Sequence, residues 1–206
     1  MSTTLLLARH GQTVWHAENR YAGVSDVALT GTGRAQAEAL GRWAGTHPVD
    51  AIWTSTVSRA IATAEPACRA LDLTPHREPD LRECDFGVLE GRTLAEFAAE
   101  DPKAAEAFRA DPVAHPFPGA EDPAAAAHRG AVALHRIAAA HDGERVLVVA
   151  HNTLLRLVLC DLLSIPLGDY RRVFPQLRNA AITELRMHRR AVGLISLNVP
   201  CEPDGA

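Results

Sequence analysis

Three short apolar runs constrain the fold of this chain more than any other feature: "TLLLA" (4–8), "AIW" (51–53) and "VLVVA" (146–150). None shows the apolar–polar alternation of a strand with one wet face. Each therefore reads as a strand covered on both sides, as in a parallel sheet. A helical pattern follows each run. Thr30 reads as the cap of a helix carrying Ala35, Ala39, Leu40 and Trp43. A second helix follows Thr54 and Ser55 through Arg59, Ala60, Thr63 and Ala67, with a kink expected at Pro66. Asn152 reads as the cap of "TLLRLVLCDLL", which stops before Pro166. Strand alternating with helix predicts a three-layer α/β/α fold around a mostly parallel, doubly wound sheet.

Residues 84 to 125 break this rhythm. Thr93 and Glu96 form a capping-box pattern, and Asp101-Pro102 and Asp122-Pro123 each read as an N-cap followed by proline at the first helical position. Between them lies the proline-rich loop "DPVAHPFPGAED". We expect a small helical lid here, inserted in a single domain spanning residues 1–206. Near the end, "AITELRM" and "VGLISL" flank a polar "HRR", which predicts an antiparallel hairpin at one edge of the sheet. Such an edge is where two copies could pair as a homodimer.

A chain of 206 residues is long enough to bury a core for one such domain. A net charge of -4 argues against a nucleic-acid binder working through a broad basic surface. No apolar stretch reaches membrane-span length, and "MSTTLLLARH" lacks the basic n-region of a signal peptide. Cys68, Cys84, Cys160 and Cys201 are scattered without a C-x-x-C pair, which argues against a zinc site or disulfide framework. The expectation is a cytoplasmic protein with reduced thiols and no metal, cofactor, nucleic-acid or membrane partner.

Open α/β sheets bind ligands at the carboxyl ends of their strands. The first strand delivers Arg9 and His10 there, the second leads to Arg59, and the third delivers His151 and Asn152. Gly11 would allow close backbone approach to a ligand, and Gln12 and Thr13 are placed to line the site. Two arginines can neutralise a phosphate monoester through bidentate hydrogen bonds, helped by backbone N–H groups at a helix start. Arg9 beside His10 disfavours imidazolium, leaving the lone pair a nucleophile needs. With two histidines, one can attack while the other, differently protonated, donates to the phosphoryl oxygens. A leaving alkoxide needs a proton, and "LRECDFGVLEG" offers Glu83, Asp85 and Glu90. These residues alone do not choose among the three.

Taken in order, "LARHGQTVWHAENRYAG", "LTGTGRAQAEALG", "TSTVSRAIATA", "LRECDFGVLEG" and "VVAHNTLLR" resemble the motifs of the histidine phosphatase superfamily, the phosphoglycerate mutase-like proteins. The resemblance runs from about residue 4 to residue 185. It implies that His10 is the nucleophile and becomes phosphorylated, that Arg9, Arg59 and His151 hold the phosphoryl group, and that Glu83 is the proton donor. The implied activity is a metal-independent phosphomonoesterase acting on a small phosphorylated metabolite. The alternatives are a cofactor-dependent phosphoglycerate mutase or a silent phosphate-binding module. Such mutases carry a longer insertion with paired arginines, whereas residues 100 to 120 here hold only Lys103 and Arg109.

Three positions depart from the family pattern. His16 stands where asparagine is frequent, Ala22 where threonine or serine is common, and Asn152 where glycine is usual. His16 could replace the amide as a hydrogen-bond donor to phosphate, with a charge that follows pH. Val14, Trp15, Tyr21, Phe86, Phe108 and Phe117 are either substrate contacts or core.

Overall fold

The computed structural model describes residues 1–189 and 191–202. In chain order the elements are β1 (Thr3–Arg9), α1 (Gly31–Thr46), β2 (Ala51–Ser55), α2 (Ser58–Leu71), β3 (His76–Glu78), α3 (Leu94–Glu100), α4 (Pro102–Ala110), α5 (Pro123–Ala140), β4 (Arg145–Ala150), α6 (Asn152–Leu162), α7 (Tyr170–Val173), β5 (Ile182–His188) and β6 (Ala191–Val199). The six strands form one sheet in the order β3-β2-β4-β1-β5-β6. The first four of these run parallel, and β5 and β6 add an antiparallel edge.

The apolar runs are continuous because both faces of the sheet are covered. Leu5, Leu7, Val146 and Val148 pack against α5 and α6, while Leu6, Ala8, Leu147 and Val149 pack on the opposite face with residues of α1 and α2. Leu5, Leu6 and Leu7 are at most 1% exposed, so each contributes roughly 1.5–3 kcal/mol of burial. The alternation that a one-sided strand needs is absent for this reason.

The local signals hold at most helix starts. Thr30 Oγ1 accepts from Gly33 N, Thr93 and Glu96 close a capping box, and Asp101 and Asp122 cap α4 and α5 ahead of their prolines. α2 runs from Ser58 to Leu71 with Pro66 inside it. The proline ring faces Gly41 of α1, where a Cβ would stand 2.7 Å from Pro66 Cβ. One expectation is corrected: α6 begins at Asn152, its N-cap is His151, and neither side chain caps it. β3 has no counterpart among the apolar runs because it is a short polar strand, "HRE", at the sheet edge.

Residues 84 to 125 form the helical excursion expected, with a small core of their own made by Leu89, Phe97, Ala105, Phe108 and Phe117. Phe108 and Phe117 are therefore core. Tyr21 and Phe86 pack on that core and also face the cleft described below. The hairpin is present as β5 and β6, and Arg190 of its "HRR" turn lies outside the described residues. Among the described residues, no helix is long and apolar enough to cross a membrane.

Candidate active site

Strand register creates the site. Arg9 of β1 lies opposite Ala150 of β4, so the chains leave the sheet side by side and His10 N donates to Ala150 O at 3.0 Å. The rings of His10 and His151 stand 5.2 Å apart, centroid to centroid. β2 ends beside them, and the 2.8 Å contact between Ser55 Oγ and His151 Nε2 ties the second histidine to that strand.

Both rings are buried, and a hydrogen bond selects the tautomer of His10. His10 Nδ1 donates to Gly11 O at 2.7 Å, which leaves Nε2 with its lone pair. Arg59 Nε donates to that nitrogen at 3.3 Å. Ser55 Oγ accepts from Val57 N and also meets His151 Nε2. His151 Nδ1 is buried and has no partner. Burial, then the Arg59 guanidinium, pushes both imidazoles well below their usual range. Both histidines are therefore neutral.

The arginines divide the work unevenly. Arg9 lines the cleft, donates through Nη1 to Leu177 O at 2.9 Å, and keeps a buried Nε without a partner. Burial lowers its pKa to about 10. Arg59 is 1% exposed, and its Nη atoms donate to the carbonyls of Ala22, Gly23 and Ser25. Most of its fork is thus spent on the 22–25 loop, leaving Nε beside His10 rather than a free bidentate clamp.

His16 sits edge-on to His10, 6.0 Å between centroids. Arg9 Nη2 donates to its Nε2 at 2.7 Å, and its Nδ1 faces Thr13 Oγ1 at 2.9 Å. Burial and then Arg9 bring its pKa down to about 4. The ring is a neutral acceptor for Arg9. Gln12 turns elsewhere. Its Oε1 accepts from Thr30 Oγ1 at 2.8 Å, and it does not line the cleft. Gly11 packs closely on α1, for a Cβ there would meet Gly33 O at 2.5 Å. Asn152 does line the cleft, and its buried Oδ1 has no partner.

The three candidate acids separate sharply. Glu90 accepts from Gly23 N, Ser25 Oγ and Phe86 N, and Asp85 accepts from Gly87 N, so both hold loops. Glu83 lines the cleft and is 4% exposed. It accepts from Cys84 N, Thr153 N and Leu154 N at 2.8–2.9 Å. It thereby caps α6 from another part of the chain, satisfying N–H groups that its own first residues leave open. Oε2 takes only one of these bonds, which leaves it a second position that can hold a proton.

The cleft encloses about 370 Å³, with Arg9, His10 and Glu83 on its wall together with Arg156, Tyr170 and Arg171. Sequence reasoning missed the last three and the Ser55 contact. Arg156 carried a usable signal: it is a lone cation in "TLLRLVLC", four residues after Asn152 and hence on the same helix face.

Comparison with known proteins places the chain among relatives. The "Phosphoserine phosphatase 1" of Hydrogenobacter thermophilus is 27% identical over 197 residues, covering 96% of this chain and 92% of that protein. The "Probable phosphoglycerate mutase GpmB" of Erwinia tasmaniensis is 31% identical over 179 residues, covering 87% of this chain and 82% of that protein. The chain spans about half the length of certain mycobacterial relatives that are 36% identical to it. The solved structure of Bacillus stearothermophilus YhfR superposes with a TM-score of 0.90 at 30% identity, over 97% of this chain and 100% of that one. A family model described as histidine phosphatase superfamily (branch 1) matches residues 5–200. With nearly its whole length matched, the chain belongs to the histidine phosphatase superfamily.

Proposed function

We propose that the protein is a phosphomonoesterase working through a phosphohistidine on a small organic phosphate. The observation that carries this reading is the tautomer lock at His10: Nδ1 is tied to Gly11 O, so Nε2 keeps its lone pair in a cationic pocket, met only by the long contact from Arg59 Nε. His10 Nε2 attacks phosphorus in line, forming the P–N bond as the ester P–O bond breaks. Glu83 gives its proton to the departing oxygen. A water molecule then attacks phosphorus, the P–N bond breaks, and Glu83 takes back a proton. Arg9, on the cleft wall, faces the phosphoryl oxygens, where charge builds up, and Arg59 Nε and His151 stand beside His10 to receive them. Asn152 and His16 border the same space, and residues 84–125 act as the lid of a single domain.

The relative named a phosphoserine phosphatase makes phosphoserine a substrate to try first. The relative named a probable phosphoglycerate mutase favours a second reading, in which the phosphoryl group returns to another hydroxyl of the substrate. Incubation with 3-phosphoglycerate separates the two, by phosphate release on one side and isomerisation on the other. Four free cysteines suit a reducing, cytoplasmic setting, and the β5–β6 edge suits pairing in a homodimer.

His10→Ala should abolish turnover of every phosphate ester, and the wild type quenched during turnover should carry acid-labile, alkali-stable phosphate on His10. Near-wild-type activity in the variant would refute the mechanism.

A further inference from the structure

Beyond the phosphoryl pocket, the same cleft holds cationic groups that the reaction does not use. Arg156 lies one turn into α6 from Asn152, about 6 Å along the helix axis. Its side chain is only 8% exposed, yet no carboxylate pairs with it among the described residues. Its Nε has no partner, and its one hydrogen bond is a long one, Nη2 to Pro175 O at 3.5 Å. The guanidinium rests on the Tyr170 ring, 4.7 Å from the centroid. Arg171 stands nearby, its Nε donating to Tyr170 Oη at 2.9 Å and its guanidinium 4.7 Å from the Phe108 centroid. It too has no ion pair among the described residues.

A buried guanidinium with an open donor is costly unless something answers it. The cleft wall offers one carboxylate, Glu83, already committed to the start of α6. Arg20, also on the wall, is answered by Glu18 and Glu96. Arg156 and Arg171 are not answered. Aromatic faces hold both guanidiniums in place, which spares part of the ordering cost when an anion arrives.

We propose that Arg156 and Arg171 form a second anion subsite, so that the substrate is a phosphate monoester whose alcohol portion bears a second anionic group a few bonds from the ester. Carboxylate and phosphate share the chemistry that a guanidinium reads. This inference rests on the phosphomonoesterase reading and narrows its substrate class.

Three esters on a common propane skeleton test it: 3-hydroxypropyl phosphate, 3-(phosphonooxy)propanoate and propane-1,3-diyl bisphosphate. Phosphate release by the wild-type protein should give kcat/KM at least about tenfold higher for a doubly anionic ester than for the neutral one, the worth of one charge-assisted hydrogen bond. That ratio should fall toward one in Arg156→Met and in the less buried Arg171→Met. Preference for the carboxylate alone, or for the bisphosphate alone, identifies which anion is read, and either supports the subsite. Turnover of all three esters without preference overturns the inference and leaves the phosphatase reading standing. A preference that survives in both variants also overturns it. If no ester or aryl phosphate is hydrolysed, the phosphatase reading fails and the inference falls with it. Should Arg156→Met fail to fold, the wild-type ratio and Arg171→Met still decide the matter.

Discussion

Glu83 holds a proton-transfer position and a helix cap with one carboxylate. Replacing it by glutamine keeps an acceptor for α6 while removing the acid. Glu83→Gln should lower kcat for an alkyl phosphate by about 10²–10⁴-fold. The loss should be much smaller for p-nitrophenyl phosphate, whose leaving group departs without a proton. Steady-state rates on the two esters check this, and equal losses would make Glu83 a positioning residue only. The types of the reacting groups were legible along the chain: Arg9-His10 after one apolar run and His151 after another. Their states were not. The tautomer of His10 depends on Gly11 O. Arg59 as a loop clamp depends on carbonyls 34 to 37 residues away.

At the scale of elements, α1 and α2 pack where a glycine meets a proline. Gly41→Ala would set a Cβ 2.7 Å from Pro66 Cβ and 2.9 Å from its carbonyl carbon, the latter a backbone atom that cannot simply rotate aside. Overpacking of this kind should destabilise the fold by about 1–3 kcal/mol, read as a lower urea midpoint. Caps drawn from neighbouring residues were visible in the sequence. Thr93→Ala should cost about 1 kcal/mol by losing the bond to Glu96 N, measured in the same way. The cap of α6 was invisible because it comes from Glu83, 70 residues before Thr153. The edge strand β3 was invisible for a different reason. A three-residue polar strand has no periodicity to detect.

At the scale of the whole molecule, burying neutral imidazoles links folding to pH. His10 and His151 bind a proton far less readily when folded than the ordinary imidazole value of 6.5 allows. Below pH 6.5 the unfolded chain therefore takes up more protons, and stability falls as pH falls. Above that pH this contribution is constant. Each histidine should add up to about 1.4 kcal/mol per pH unit to the slope below pH 6.5. Urea midpoints between pH 8 and 5 measure it, and His10→Asn with His151→Asn should flatten that part of the curve. The same burial keeps the nucleophile unprotonated. The acid limb of kcat/KM that belongs to His10 should therefore lie below pH 6.5, once the ester's own ionisation is allowed for.

The sequence by itself determined the layered α/β/α architecture, the antiparallel edge and the helical excursion. These follow from apolar periodicity and caps, which act over a few residues. It also determined which side chains leave the sheet at its ligand-binding end, because a strand run and the residues after it are contiguous. Only the tertiary structure decided that Asp85 and Glu90 hold loops, that Gln12 turns toward Thr30, and that His16 is an acceptor for Arg9. Those outcomes rest on hydrogen bonds and burial between segments distant in the chain, and no local pattern records which distant donor a side chain will meet.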